Sequence, residues 1–192
     1  MGVWSNLQFK KSLDEVRSAI LAATTPFGRS NASEQKTRRD RAENDLHFFA
    51  ETYFPHYMTA PLSRMHKDMY AQFETMIRNG RKNPGVAKYA IAAPRGNAKS
   101  TMVSLILPLW CICTRSKKFI AILSDTSEQA DEFLEFIKVE LTVNEHLRTD
   151  FPKASGKGST WKTGHVITAN NVKIRWWGTG KALRGARHGS YR

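Results

Sequence analysis

Cysteine, long apolar runs and acidic residues are all scarce in this sequence of 192 residues. The two cysteines, Cys111 and Cys113, lie two positions apart in a predicted helix and point to different faces, which suits neither a disulfide nor a metal site. We expect both to be core thiols. The longest apolar run, over residues 102–113, is interrupted by Ser104 and Pro108 and is shorter than the roughly 20 residues of a spanning helix. The N-terminus lacks a secretory signal, so we expect a cytoplasmic protein with no membrane partner.

The deficit of acidic residues leaves the chain strongly basic. Thirty Lys and Arg residues stand against 17 Asp and Glu residues, which gives a net charge of +13 and a pI near 10. This charge favours polyanionic partners, nucleic acid before an anionic membrane surface. The imbalance is greatest after residue 150, where no acidic residue opposes nine basic ones: Lys153, Lys157, Lys162, Lys173, Arg175, Lys181, Arg184, Arg187 and Arg192.

The rest of the composition is that of a globular protein. Hydrophobic residues make up 41% and charged residues 24%, which excludes collagen-like, low-complexity and wholly disordered classes. The length suffices for one domain with its own core. We predict an N-terminal helical appendage and basic linker over residues 1–45, followed by an α/β domain over residues 46–192.

Capping and periodicity signals predict the order of elements. Ser12–Glu15 is a capping-box pattern that opens a helix through Ala23, and further helices are predicted around Leu46–Tyr53 and from Ser63 to Gly80. Beyond residue 88, strands alternate with helices, which predicts parallel βα units. These elements are a buried strand Tyr89–Ala92, a helix from Lys99, a strand Phe119–Leu123, a helix from Thr126, and a hairpin of His165–Thr168 with Val172–Trp177.

The segment with the clearest chemistry is Ala93-Pro94-Arg95-Gly96-Asn97-Ala98-Lys99-Ser100. It has the spacing of the phosphate loop G-x-x-x-x-G-K-[ST], with alanine at both glycine positions. A phosphate loop needs a turn whose backbone N–H groups face the phosphates, a helix behind it, and a cation. Gly96 provides conformational freedom, Lys99 can reach the β- and γ-phosphates, Ser100 can hold Mg²⁺, and Arg95 adds a second cation.

The alternative interpretation of this segment is a basic turn between a strand and a helix, with no ligand. Ala98 bears on the choice, because a positive φ at that position would cost on the order of 1 to 2 kcal/mol for a residue with a Cβ. The predicted strand before the loop and the predicted helix after it favour the phosphate loop.

The basic C-terminal quarter is the candidate DNA-binding region. Alternation along residues 172–177 puts Lys173, Arg175 and Trp177 on the face expected to meet solvent. The alternative is a solvated hairpin face whose tryptophans pack on the core. Arg184 and Arg187 could instead contact nucleotide phosphates. The candidate DNA-binding residues are Lys173, Arg175, Lys181, Arg184 and Arg187.

Four stretches together resemble the large terminase subunits of tailed double-stranded DNA bacteriophages. The resemblance covers residue 46 to the end, and its order and spacing are those of the family. An arginine inside a non-standard phosphate loop is typical of these motors. The stretches are Tyr53–Tyr57 with His66 downstream, Ala92–Thr101, Ile122–Ala130 and Gly178–Arg187.

The resemblance implies a RecA-like P-loop NTPase fold and a motor that uses ATP and Mg²⁺ to move double-stranded DNA into the prohead. Partners implied are the small terminase subunit, the portal and further copies in a ring, in the cytoplasm of a bacterial host. The implied catalytic residues are Arg95 and Lys99, and Ser100 is the implied metal ligand. The implied nucleotide-binding residues are Pro94, Arg95, Gly96, Asn97, Ala98, Lys99, Ser100 and Thr101, with His66 and, less directly, Tyr53 and Phe54 near the adenine.

The motifs that complete such a motor are absent from this sequence. The family carries an apolar strand with an acidic pair after the segment Leu183-Arg184-Gly185, and a nuclease domain beyond it. The acidic cluster Asp131, Glu132 and Glu135 is expected on the solvent side of its helix and does not replace the pair. We therefore expect the N-terminal part of a terminase with little activity alone. The alternatives are an inactive prophage remnant that binds nucleotide or DNA without turnover, and another P-loop DNA motor such as a helicase.

Overall fold

The described part of the chain folds into a mixed α/β structure with one sheet. The computed structural model describes residues 6–28, 31–82, 88–178 and 186–190. Its helices are α1 (Asn6–Ala23), α2 (Ala32–Asn44), α3 (Leu46–Tyr53), α4 (Arg64–Lys82), α5 (Lys99–Thr101), α6 (Leu107–Cys113), α7 (Ser127–Val143) and α8 (Glu145–Asp150). A 3₁₀ turn covers Pro55–Tyr57, and a π-helical turn, Met102–Ile106, joins α5 to α6.

The sheet contains four strands: β1 (Phe119–Ser124), β2 (Thr160–Lys162), β3 (His165–Ile167) and β4 (Lys173–Gly178). The spatial order is β1-β4-β3-β2. The pair β1/β4 is parallel, and the pairs β4/β3 and β3/β2 are antiparallel. The strand at Phe119–Leu123 and the hairpin are confirmed, and Asn171 takes the positive φ of 63° expected in the hairpin turn. Strand β2 is an addition to the elements predicted from the sequence.

The predicted strand Tyr89–Ala92 is not a strand in the structure. Residues 88–94 have no regular secondary structure, and Tyr89 is 47% exposed. Four apolar residues form a strand only when a neighbouring strand pairs with their backbone, and none of the described strands does so here. The expectation of a buried strand in front of the loop is therefore wrong for this structure.

The segment predicted as a basic linker is helical. Asn31 caps α2 in a reciprocal capping box with Glu34. On its inner side, Arg38 forms two hydrogen bonds of 2.6 and 2.7 Å with the buried carboxylate of Asp150. The backbone carbonyl of Ala42 accepts a hydrogen bond of 2.9 Å from the buried indole of Trp110. Polar contacts from α2 to the α/β part thus replace the apolar face that this helix lacks.

The helices around the phosphate segment form the main core. α4 turns Met69, Phe73 and Ile77 inward, as its periodicity predicts. The residues of α7 that form its predicted stripe are buried at Ala130, Leu134, Ile137 and Leu141. One face of the sheet packs against α7 through Val166, Ile174 and Ile122, so the other face remains the more open one.

Candidate phosphate-binding site

The loop at residues 94–98 has the backbone shape of an anion cradle. Gly96 has φ +81° and Ala98 has φ 49° with ψ 17°, so two residues of the turn lie in the left-handed region. Helical structure begins directly after Ala98, and the N–H of Met102 donates to the carbonyl of Ala98 at 3.0 Å. In the part of the chain that the structure describes, the N–H groups of Gly96, Asn97 and Ala98 donate to no protein acceptor. Clustered unpaired N–H groups in front of a helix are what an anion binds.

Side chains hold this turn in shape. The amide of Asn97 donates to the carbonyls of Pro94 at 3.2 Å and of Arg95 at 3.4 Å. Because these are bonds from a side chain to the backbone of its own turn, they stabilise the loop without any neighbouring strand. The role of Asn97 is therefore to shape the loop.

Lys99 folds back over the loop. Its amine donates to the carbonyl of Ala93 at 2.6 Å and to that of Pro94 at 2.8 Å. These two carbonyls hold the Lys99 amine against the turn that a phosphate would enter. In the described residues, no carboxylate forms an ion pair with Lys99 or Arg95. The positive charge of the loop is thus uncompensated by acidic side chains. The side chain of Ser100 is exposed at the start of the helix.

His66 contacts the loop itself. Its Nδ1 accepts from the backbone N–H of Ser63 at 3.2 Å, so Nε2 carries the proton and donates to the carbonyl of Asn97 at 3.2 Å. This bond ties the first turn of α4 to the phosphate loop. The resemblance implied a contact of His66 with adenine, and that contact stays a prediction. In the structure, His66 stabilises the loop through its hydrogen bond to Asn97.

A cavity of about 400 Å³ opens beside the loop. One wall is α4, which contributes Met65, Asp68 and Gln72, and the other is the extended segment Ala90–Ala93. Since Ala93 also begins the loop, the cavity continues from the place where phosphates would lie. Its walls combine apolar residues such as Met65 with the polar side chains of Asp68 and Gln72, a mixture that a nucleoside can contact.

The aromatic turn does not reach this cavity. Tyr53 and Phe54 are fully buried in the core, and the hydroxyl of Tyr53 donates to Asp150 at 2.7 Å. Burial and that carboxylate raise the pKa of Tyr53 well above its usual value. The suggestion that Tyr53 and Phe54 lie near the adenine is therefore wrong in this structure.

The open face of the sheet gathers basic residues. Lys173 and Arg175 lie on it as predicted, and each cation sits over an aromatic ring: the Lys173 amine is 5.9 Å from the Phe119 ring centre, and the Arg175 guanidinium is 4.7 Å from that of Trp177. Trp177 is only 4% exposed, so the expectation that it meets solvent is wrong. Packing against Phe119 and Arg175 explains its burial.

The acidic cluster on α7 also differs from expectation. Asp131 accepts hydrogen bonds from the indole of Trp176 at 2.7 Å and from the N–H of Gly164 at 3.2 Å, so it faces the sheet and not solvent. Burial raises the pKa of Glu132. The hydrogen bonds of Asp131 make it a support of the hairpin.

The remaining DNA-binding candidates divide in two. Arg187 is exposed, and its carbonyl accepts from the Lys173 amine at 3.1 Å, so it lies beside the basic face. Lys181 and Arg184 lie outside the described residues. The sequence argument missed Lys162 and His165 as members of this face. The signal available was their place in the alternation of two short strands, one of which was not predicted.

The described residues contain no group of three or more metal-ligating His, Cys, Asp or Glu side chains, and none of the described helices is long and apolar enough to cross a membrane. Cys111 and Cys113 are buried, as expected of core thiols. No protein-family model, curated protein or solved structure matches the chain.

Proposed function

We propose that this chain is the ATP-binding part of a viral DNA-packaging motor of the large-terminase type, built on a RecA-like P-loop fold. The observation that carries the proposal is the backbone of residues 94–98, in which two residues have positive φ and the N–H groups of residues 96–98 donate to no described acceptor directly ahead of a helix. Holding Ala98 at φ 49° costs about 1–2 kcal/mol. Strain of this kind is retained where a function needs it.

The residues of the loop fit a nucleoside triphosphate with Mg²⁺. Lys99 and Arg95 provide the charge for the β- and γ-phosphates, and the hydroxyl of Ser100 is the one group of the loop suited to Mg²⁺. The metal ion, when bound, neutralises developing phosphate charge. The nucleoside occupies the cavity between α4 and residues 90–93, with His66 supporting the loop beneath the phosphates.

The second part of the proposal is that double-stranded DNA binds the basic face formed by Lys173, Arg175 and Arg187. The net charge of +13 and the absence of acidic residues after residue 150 support a polyanion there. In a complete motor, ATP hydrolysis would be coupled to DNA movement into a prohead, with the small terminase subunit, the portal and further copies in a ring as partners. These partners are proposed from the resemblance alone.

One observation favours a second candidate function, binding without turnover. In the described residues, no carboxylate forms a hydrogen bond or an ion pair with the loop, and a bonded carboxylate is what would hold a general base beside an attacking water. A chain with only these groups would bind ATP or DNA and hydrolyse little. The two candidates share the nucleotide site and differ in the turnover they predict.

The test is a titration of the purified chain with a fluorescent ATP analogue, with and without Mg²⁺. We expect Lys99→Ala to abolish binding and Ser100→Ala to remove mainly the dependence on Mg²⁺, because one residue supplies charge and the other a metal ligand. Lys88→Ala, which removes an exposed lysine ahead of the loop, is the matched control and should bind as the wild type does. Equal binding by the wild type and Lys99→Ala would show that the loop is only a turn.

A further inference from the structure

Three basic side chains form a row across the open face of the sheet. The register pairs Lys162 of β2 with His165 of β3, and His165 with Arg175 of β4. Since residues directly opposite each other on neighbouring strands share a face, all three project from the same side. Strands lie about 4.8 Å apart, so the row spans roughly 10 Å.

The row carries an electrostatic cost that no ion pair among the described residues relieves. Like charges directly opposite each other destabilise a sheet, and no acidic residue lies between residues 151 and 192 to compensate. His165 lies at the centre, half-buried, with Lys162 and Arg175 beside it and Lys173 two residues before Arg175 on the same strand face. Burial, Lys173, Arg175 and Lys162, in that order, hold the pKa of His165 below its usual value. These neighbours thus disfavour the protonated form of the imidazole.

We propose that the phosphates of one strand of duplex DNA contact Lys162, His165 and Arg175, and that this binding is coupled to the protonation of His165. The inference rests on the DNA-binding part of the proposed function and adds two residues and a form of regulation to it. Measured along the duplex axis, roughly 10 Å corresponds to about three phosphates of one DNA strand, which matches three cationic groups.

The coupling follows from charge. Phosphates beside His165 neutralise Lys162, Lys173 and Arg175 and favour the imidazolium, so the pKa of His165 rises when DNA binds. A group whose pKa is higher in the complex takes up a proton on binding. DNA therefore binds more tightly as the pH falls, and by reciprocity DNA raises the proton affinity of His165. The effect is confined to the pH range between the pKa values of His165 in the unbound and bound states.

The test measures binding of a fluorescent 20-base-pair DNA duplex at constant ionic strength between pH 7.5 and 5.5. For the wild type we expect the affinity to rise several-fold more over this range than for His165→Gln, and by no more than tenfold per pH unit, because that is the change that full uptake of one proton produces. His165→Lys, which fixes the charge, should bind tightly with no such gain. His188→Gln is the matched control, because His188 bonds Asn171 and lies outside the row.

A second readout counts the protons directly. Calorimetric titration in two buffers of different ionisation enthalpy should show net proton uptake on DNA binding by the wild type and His188→Gln, and less uptake by His165→Gln. DNA binding with the same pH dependence in the wild type, His165→Gln and His165→Lys would overturn the coupling and leave the DNA-binding proposal standing. Absence of DNA binding at every pH, with ATP binding retained, would overturn the DNA-binding proposal and this inference together.

Discussion

Replacing alanine by glycine at the two loop positions where phosphate loops carry glycine should change stability in opposite directions. Ala98 lies at φ 49° with ψ 17°, whereas Ala93 is not among the residues of positive φ. The left-handed conformation costs a residue with a Cβ about 1–2 kcal/mol. Ala98→Gly removes this cost, and the exposed methyl group of Ala98 contributes little burial.

The magnitude follows from two opposing contributions. Glycine gives the unfolded chain more freedom, which offsets about 0.5–1 kcal/mol of the relief. We therefore expect Ala98→Gly to raise the free energy of unfolding by about 0.5–1 kcal/mol. For a chain of this size, that is an increase in Tm of about 1–4 °C. Ala93→Gly has only the entropic cost and should lower the free energy of unfolding by about 0.4–1 kcal/mol.

The assay is urea denaturation followed by circular dichroism for the wild type and both variants, with the slope m compared between them. A nucleotide titration of Ala98→Gly adds a functional readout, since a less strained loop should bind the ATP analogue at least as tightly. If both substitutions destabilise the chain to the same extent, Ala98 is not strained by a left-handed backbone conformation. The main argument for a phosphate-binding loop is then lost.

Three further predictions concern the core, the basic face and turnover. Asp150→Ala should destabilise the chain by about 3–5 kcal/mol, because it removes the buried carboxylate that accepts from Arg38 and Tyr53. The control Asp68→Ala, at an exposed ion pair, should leave the denaturation midpoint unchanged. Lys173→Gln with Arg175→Gln should make the slope of log K against log salt for duplex DNA shallower by about 2, and an unchanged slope would move the DNA surface elsewhere. Phosphate release by these 192 residues should be slow, because a positioned general base contributes about 10²–10⁴ in rate and no described carboxylate is hydrogen-bonded or ion-paired to the loop. Robust hydrolysis that depends on Lys99 would refute this prediction.

Elements with strong local signals could be predicted from the sequence. The core-facing stripe of α4 and the Asn-containing turn before β4 each depend on residues within a few positions of one another. The phosphate loop belongs to this group, because Gly96, Asn97 and Ala98 shape it through their own backbone and side chains. Such features are readable from sequence since neighbours along the chain suffice to stabilise them.

The features that only the tertiary structure decided depend on residues that are far apart in the chain. Arg38 meets Asp150 across 112 positions, which turns an expected linker into a packed helix, and His66 meets Asn97 across 31. Asp131 faces inward because an indole and a backbone N–H of the hairpin need its carboxylate. The sequence determined the positive charge, the loop and the order of most helices and strands. The pairing of strands determined the rest. Tyr89–Ala92 stays outside the described sheet because a strand forms only when a neighbouring strand pairs with its backbone. The row of Lys162, His165 and Arg175 exists only because three strands align in the sheet.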